Sequence, residues 1–279
     1  MMPITETQVD AFQRDGYLLI PGFYDEKSQI EPIREQIRQI ITILCKKHGV
    51  ETACDTPVEA MAEGYMGLIT LDRRLGGAVY DAVKQIPEFM RLVAEPQNAQ
   101  IFSELRPGSQ PGIAAGGFGI RIDNPSEDRY RAPWHQEFPA QLRSLDGVVF
   151  WSPLVEITPE LGPVEIANGS HKEGPIPVYE DNGDIVRSGA YSLRLDREQE
   201  RLRKYPIVAP CTKPGDLILM DFLTLHQSGR NAATRSRWSM QFRYFNFADP
   251  VGVDIAWAGS FAAGKRFEEF FPNIKVDPQ

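Results

Sequence analysis

Cysteine, histidine and net positive charge are all scarce in this chain, and each shortage narrows what the protein does. The three cysteines of the 279 residues, Cys45, Cys54 and Cys211, form an odd, sparse set with no C-x-x-C spacing. That excludes a disulfide framework and predicts reduced thiols in a cytoplasmic protein. Lys plus Arg number 30 against 38 Asp plus Glu, for a net charge of −8. A nucleic-acid-binding protein presents a basic face, so no nucleic-acid partner is expected. No apolar run approaches the ~20 residues of a membrane span, and Met1-Met2-Pro3-Ile4-Thr5-Glu6-Thr7 has neither a basic start nor an apolar stretch. No membrane segment or signal peptide is therefore expected.

The length suits one barrel or sandwich domain with a sizeable core. A single domain, 1–279, is expected. Residues 1–106 would be largely helical support plus the first strands, and 107–250 a barrel core with an insertion at about 172–205. Residues 251–279 would form a C-terminal tail. Thr5-Glu6-Thr7-Gln8 fits a capping box. Ile30, Ile33, Ile37, Ile40, Ile41 and Leu44 recur at helical spacing, predicting an amphipathic helix over about 26–47 that ends at His48-Gly49. A second helical stretch, about Ala78 to Ala94, should be interrupted or kinked near Pro87.

After Pro107 short apolar runs alternate with Gly, Pro and Asn: Phe118–Ile122, Gly147–Leu154, Gly162–Ala167, Leu217–Phe222 and Arg237–Phe247. These read as strands, so the class is mainly β with flanking helices. In the last run Arg237, Ser239, Gln241 and Arg243 alternate with Trp238, Met240, Phe242 and Tyr244. The preferred reading is a barrel strand whose polar face lines a site and whose aromatic face packs on the N-terminal helices. Asp181–Lys204 breaks the strand pattern and carries Arg187, Arg194, Arg197, Arg201 and Arg203. It reads either as a lid or as a solvated helix around Asp196–Lys204.

Only four histidines are present, His48, His135, His171 and His226. His48 reads as a solvated helix-end residue. His135-Gln136-Glu137 sets a histidine and a carboxylate two apart, which on a strand places both on one face. His226 follows the strand-like Leu217–Phe222, itself preceded by the turn signal Pro214-Gly215-Asp216. Two histidines and one carboxylate form the ligand set for non-haem Fe(II) with open positions. Arg237, eleven residues after His226, is a fixed cation suited to gripping a carboxylate through a fork of donors. Arg235 and Arg243 are the next candidates for that role. Trp134 and Trp151 read as barrel packing.

The ordered set of segments resembles the phytanoyl-CoA dioxygenase (PhyH) family of Fe(II)/2-oxoglutarate oxygenases. It comprises Val9–Tyr17, Trp134–Glu137, Gly162–His171, Pro214–Asp216, His226–Asn231 and Arg237, and so covers most of the chain. The resemblance implies a double-stranded β-helix, a cupin-like jelly-roll barrel buttressed by helices. It implies His135, Glu137 and His226 as Fe(II) ligands, Arg237 as the partner of the distal carboxylate of 2-oxoglutarate, and Ser228 as a hydroxyl beside it. Asp123 falls near a polar position that contacts the keto-acid end in some relatives, and His171 matches a framework histidine near the site mouth. One position departs from the family: Glu137 stands where Asp is usual, giving the same oxygen donor on a longer arm. A retained carboxylate argues against halogenase chemistry, in which a small residue takes that place.

The function implied is an O2-using dioxygenase that hydroxylates a small polar metabolite or natural-product intermediate and releases succinate and CO2. The alternatives are an acyl-CoA hydroxylase, a cupin-like isomerase, or a non-catalytic metal-binding barrel. The chain is expected as a monomer or homodimer, with Phe261, Phe267, Phe270 and Phe271 packing on the barrel in preference to a second subunit.

Overall fold

The computed structural model of the chain describes residues 4–180, 193–259, 269 and 271–272. Helices come first: α1 Glu6–Asp15, α2 Glu31–His48, a short α3 Pro57–Glu59, α4 Tyr65–Leu71, α5 Arg73–Val83, α6 Pro87–Val93 and α7 Pro96–Leu105. The expected capping box is present, with Gln8 N–H donating to the Thr5 hydroxyl at 3.2 Å and Thr5 N–H to Gln8 Oε1 at 2.9 Å. A π-helical turn, Glu26–Ile30, leads into α2, which buries Ile33, Ile37 and Ile41. The stretch expected to be interrupted or kinked near Pro87 is interrupted there, because Pro87 opens α6 at its first turn, where its missing N–H costs nothing.

Eleven strands are described: β1 Tyr17–Ile20, β2 Pro111–Ile113, β3 Gly119–Asp123, β4 Gly147–Pro153, β5 Val164–Ala167, β6 Val178–Glu180, β7 Leu193–Leu195, β8 Ile207–Val208, β9 Leu217–Asp221, β10 His226–Ser228 and β11 Arg237–Asn246. Three further short helices, α8 Glu137–Gln141, α9 Glu198–Leu202 and α10 Pro250–Asp254, lie among and after them. A six-stranded antiparallel sheet runs β1-β9-β4-β11-β2, with β3 also on β11. A smaller antiparallel sheet runs β10-β5-β8.

The large sheet is covered on both faces, which explains the unbroken burial of β4. Val148, Phe150, Leu217, Leu219, Trp238, Met240, Phe242 and Tyr244 join the helices in one core. Val149, Trp151, Ile218 and Met220 join Val164 and Ile166 of the small sheet in another. The period-two pattern thus sorts alternate residues of one strand into two cores. Trp238 Nε1–H donates to the Met61 carbonyl at 3.0 Å and Tyr244 O–H to that of Val93 at 2.9 Å, so buried aromatics fix the sheet to the helices through polar ends as well. The architecture is the jelly-roll layering of helices, large sheet and small sheet. Among the described residues the two sheets do not join into a closed hydrogen-bonded barrel.

His171 joins the N-terminal helix to this body. Its Nε2 meets the Gln13 carbonyl at 3.0 Å, and its ring lies over Gly16, which ends α1 at φ +77°. A Cβ at Gly16 would sit 2.3 Å from His171 Nδ1 and 2.5 Å from Thr224 Oγ1, so both the conformation and the close approach require glycine. The stem of the expected insertion is the β6–β7 hairpin, and the helix around Asp196–Lys204 is α9. Residues 181–192, including Arg187, lie outside the described residues, as do Phe261, Phe267 and Phe270. Phe271 packs within the chain, its ring 5.9 Å from that of Phe138.

Candidate active site

Three chain segments converge between the sheets. His135 and His226 are partnered by an antiparallel β-bridge, His135 N–H to His226 carbonyl at 3.0 Å and the reverse at 3.1 Å. Gln136 is extended at φ −95°, ψ 147°, and Glu137 begins α8. The expected strand is therefore a bridge residue and one extended residue running into a helix. That single extended residue suffices to turn His135 and Glu137 to one side. Gln136 points away, its amide donating to the carbonyls of Gly174 and Leu223 at 2.8 Å and accepting from Ile176 N–H at 2.8 Å. It ties the segment before β6 to the site.

The donor atoms of His135, Glu137 and His226 all lie within 4.8 Å of one another. Glu137 Oε2 stands 3.9 Å from His135 Nε2 and 3.7 Å from His226 Nε2. Each Nδ1 faces a carbonyl, that of Pro133 at 2.8 Å for His135 and that of Thr224 at 2.9 Å for His226. A carbonyl only accepts, so each Nδ1 carries the proton and each Nε2 turns a lone pair inward. Burial, and then the neighbouring His135, pushes the His226 imidazole down to about 3, and burial lowers His135 also. Burial by itself would raise the Glu137 carboxyl, but Arg243, followed by the two imidazoles, outweighs it and holds the group at about 2. Two neutral imidazoles and one carboxylate facing a common point are the donor chemistry that a divalent iron requires.

Arg243 lies on the polar face of β11 and is buried. Its Nε is 3.0 Å and its Nη2 3.1 Å from the two oxygens of Glu137, while Nη1 donates to the Gly117 carbonyl at 3.1 Å. Arg237, six residues earlier on the same face, donates through Nη2 to Asp123 Oδ2 at 2.7 Å and through Nη1 to the Gly162 carbonyl. Arg121 grips the same Asp123 carboxylate, with Nη2 2.7 Å from Oδ1. Asp123, expected at a keto-acid contact, is thus the anion between two arginines. Burial alone would raise its carboxyl, but Arg121 and then Arg237 pull it below the ordinary range.

A cavity of about 350 Å³ joins the three donors to Arg237, Arg243 and Ser228. Gly119 and Gln241 line its wall, as do Tyr80 of α5 and Lys84 just after that helix. Arg235 lies elsewhere, reaching the Glu156 carbonyl at 3.3 Å. Trp151 packs in the core and also reaches the cavity wall, whereas Trp134 belongs to a separate apolar cluster with Leu195 and Leu225. His171 is not among the cavity residues. Sequence reasoning missed the pairing of Arg243 with Glu137 and the part taken by Arg121, Tyr80 and Lys84. The polar alternation of β11 marked Arg243 as inward-facing, but no motif marked its partner.

The profile of the phytanoyl-CoA dioxygenase (PhyH) family matches residues 12–239. Ectoine dioxygenase from Sphingopyxis alaskensis is 25% identical over 245 residues, covering 82% of this chain and 72% of the relative. The ectoine dioxygenase of Halomonas elongata is 24% identical over 289 residues, covering 97% and 77%. Among solved structures, EctD from S. alaskensis with 2-oxoglutarate and 5-hydroxyectoine superposes at a TM-score of 0.58 with 20% identity, covering 90% of this chain and 81% of that one. The non-haem α-ketoglutarate-dependent carbocyclase SnoK from nogalamycin biosynthesis superposes at 0.56 with 17% identity, covering 88% and 87%. Such likenesses establish the shared fold, and the family match spans the helical layer and all three donor residues. The chain belongs to the phytanoyl-CoA dioxygenase (PhyH) family of Fe(II)/2-oxoglutarate-dependent oxygenases.

Proposed function

We propose that this protein is an Fe(II)- and 2-oxoglutarate-dependent dioxygenase that hydroxylates a small polar metabolite. The observation that carries this reading is the inward-facing set of His135, Glu137 and His226 at one place in a cavity that also exposes Arg237. His135 Nε2, His226 Nε2 and Glu137 Oε2 would hold the iron. Bound there, iron supplies the oxidation of a substrate C–H bond by O2, coupled to conversion of 2-oxoglutarate to succinate and CO2. Arg237 and the Ser228 hydroxyl would bind the distal carboxylate of the cosubstrate. Asp123 and the Gly162 carbonyl hold the Arg237 guanidinium in a fixed plane. Arg237 and Asp123 are themselves buried, which strengthens their charged contact.

The small-metabolite reading is supported by the cavity volume, near the lower end of the range for small-ligand sites, which cosubstrate and substrate must share. The acyl-CoA alternative would use the arginines of the insertion to hold phosphates. Arg201 there is already paired with Glu173 and with Asp196. The ectoine dioxygenases act, by name, on a small metabolite, which points the same way. We read the chain as one catalytic domain, 1–279, acting as a monomer or homodimer. A cytoplasmic location agrees with its free thiols, and among the described residues no helix is long and apolar enough to cross a membrane.

Anaerobic titration with Fe(II) and then 2-oxoglutarate tests the reading. A weak visible charge-transfer band is expected from wild type and not from His135→Ala. Iron bound without such a band would favour the cupin-like isomerase or the non-catalytic metal-binding barrel.

A further inference from the structure

The departure of Glu137 from the family's aspartate and the burial of Arg243 against it are one device. We infer that Arg243 is a positioning residue that confines Glu137 to a single metal-facing oxygen, keeping a coordination position open for the cosubstrate. The inference rests on the reading of His135, Glu137 and His226 as iron ligands.

A glutamate arm is longer than an aspartate arm by one methylene. It can swing its carboxylate edge-on to a cation and bind through both oxygens, as glutamate does in calcium-binding loops. At a centre that must leave room for a chelating keto acid and O2, a second oxygen from Glu137 would occupy a needed position. The Arg243 guanidinium lies along the carboxylate edge, donating a hydrogen bond from Nη2 to Oε2 at 3.1 Å and standing with Nε 3.0 Å from Oε1 as an ion pair outside hydrogen-bond geometry. A forked guanidinium and a chelated metal compete for the same edge of a carboxylate. Oε2 is the oxygen closest to both imidazoles, so a cation held by His135 and His226 meets that atom while Oε1 stays with Arg243.

Arg243 is itself fixed. It is 7% exposed, and its third nitrogen donates to the Gly117 carbonyl. Its backbone sits in the middle of β11, opposite Val149 of β4. A lysine there carries the charge but not the fork, and so holds one oxygen in place of two.

Two affinities measured without turnover separate this role from general support of the fold. Arg243→Gln, Glu137→Asp and the double variant are titrated anaerobically, first with Co(II) or Fe(II) and then with 2-oxoglutarate, following the visible absorption of the metal. In Arg243→Gln the metal affinity is expected to be retained or to rise. The affinity for 2-oxoglutarate should fall by about tenfold or more, roughly 1.4 kcal/mol, while the metal affinity does not fall with it. In the Glu137→Asp background the same Arg243→Gln change should leave 2-oxoglutarate affinity near that of Glu137→Asp alone, because the shorter arm needs no restraint. Arg243→Lys should fall between wild type and Arg243→Gln, and serves in its place should that protein not fold.

Equal weakening of metal and cosubstrate, unchanged cosubstrate affinity in Arg243→Gln, or no recovery with Asp at 137 would each overturn the inference. Failure of wild type to bind either metal would instead overturn the ligand assignment beneath it.

Discussion

Asp123 and Arg237 meet twice, as register partners across β3 and β11 and as an ion pair with Nη2 2.7 Å from Oδ2. The strand pairing sets the spacing of the two charges and Arg121 closes on the same carboxylate from two residues before it. The arginine proposed to receive the cosubstrate is therefore oriented by its own sheet.

Arg237→Ala should weaken the apparent affinity for 2-oxoglutarate by roughly 10- to 100-fold, the worth of a hydrogen bond to a charged group. Arg237→Lys should recover little, since an ammonium cannot hold Asp123, the Gly162 carbonyl and a ligand carboxylate in one plane. The measurement is 2-oxoglutarate binding to the iron-loaded protein by visible absorption. Wild-type affinity in Arg237→Ala would assign the carboxylate to another cation.

Metal removal gives a second test. A ligand that binds only the folded state stabilises it by about 2.7 kcal/mol at a hundredfold excess over its Kd. Fe(II) or Co(II) should raise the unfolding temperature of wild type under anaerobic conditions, and a chelator should reverse the rise. His226→Ala should show a much smaller shift. An equal shift in that variant would place metal binding elsewhere on the protein.

Tyr244 sets an alkaline limit. Burial pushes its phenol up to about 12, whereas the unfolded chain releases that proton near 10. The folded state holds the extra proton between these values, so the contribution is complete below pH 10 and is lost as pH rises towards 12. Tyr244→Phe should lower stability by about 1 kcal/mol at neutral pH, because the buried Val93 carbonyl loses its hydroxyl donor and keeps only the Asn98 amide at 3.4 Å. It should then lose less stability than wild type between pH 9 and pH 11. Parallel urea midpoints for the two proteins across that range would contradict the assignment.

Gly16→Ala should destabilise the chain by at least about 2 kcal/mol, from a positive φ and from overpacking against His171 and Thr224. Adding His171→Ala should return the share of that loss due to His171 and leave the Thr224 contact and the conformational part. Chemical denaturation of both variants reads the difference. No recovery in the double variant would show that the close contact is immaterial.

Strands β3, β4, β9 and β11 of the large sheet and the long helix were legible because short apolar runs and helical spacing are local properties, whereas the short β2 carries no such run. The β11 run, with arginine, serine and glutamine alternating against aromatics, announced both of its neighbours, the cavity and the helical layer. The convergence of His135, Glu137 and His226 was legible for another reason: few residue types do that chemistry, and the chain has only four histidines. Partnerships between distant charges were not legible. Arg243 and Glu137 are 106 positions apart, and Arg237 and Asp123 are 114 apart. Nothing local to any of them names the partner: the resemblance sets Asp123 near a keto-acid contact, and the sequence offers Arg243 as a next candidate after Arg237. Tyr80 and Lys84 carry no signal in the sequence because a helix does not declare which cavity its end will overlook.

The reciprocal backbone hydrogen bonds between His135 and His226 bear on the loss of either donor. Peptide geometry, already complete in the folded chain, sets the distance between the two imidazole-bearing backbones. Replacing either side chain therefore removes one donor without releasing the backbone that carried it, so the other histidine keeps its place beside Glu137.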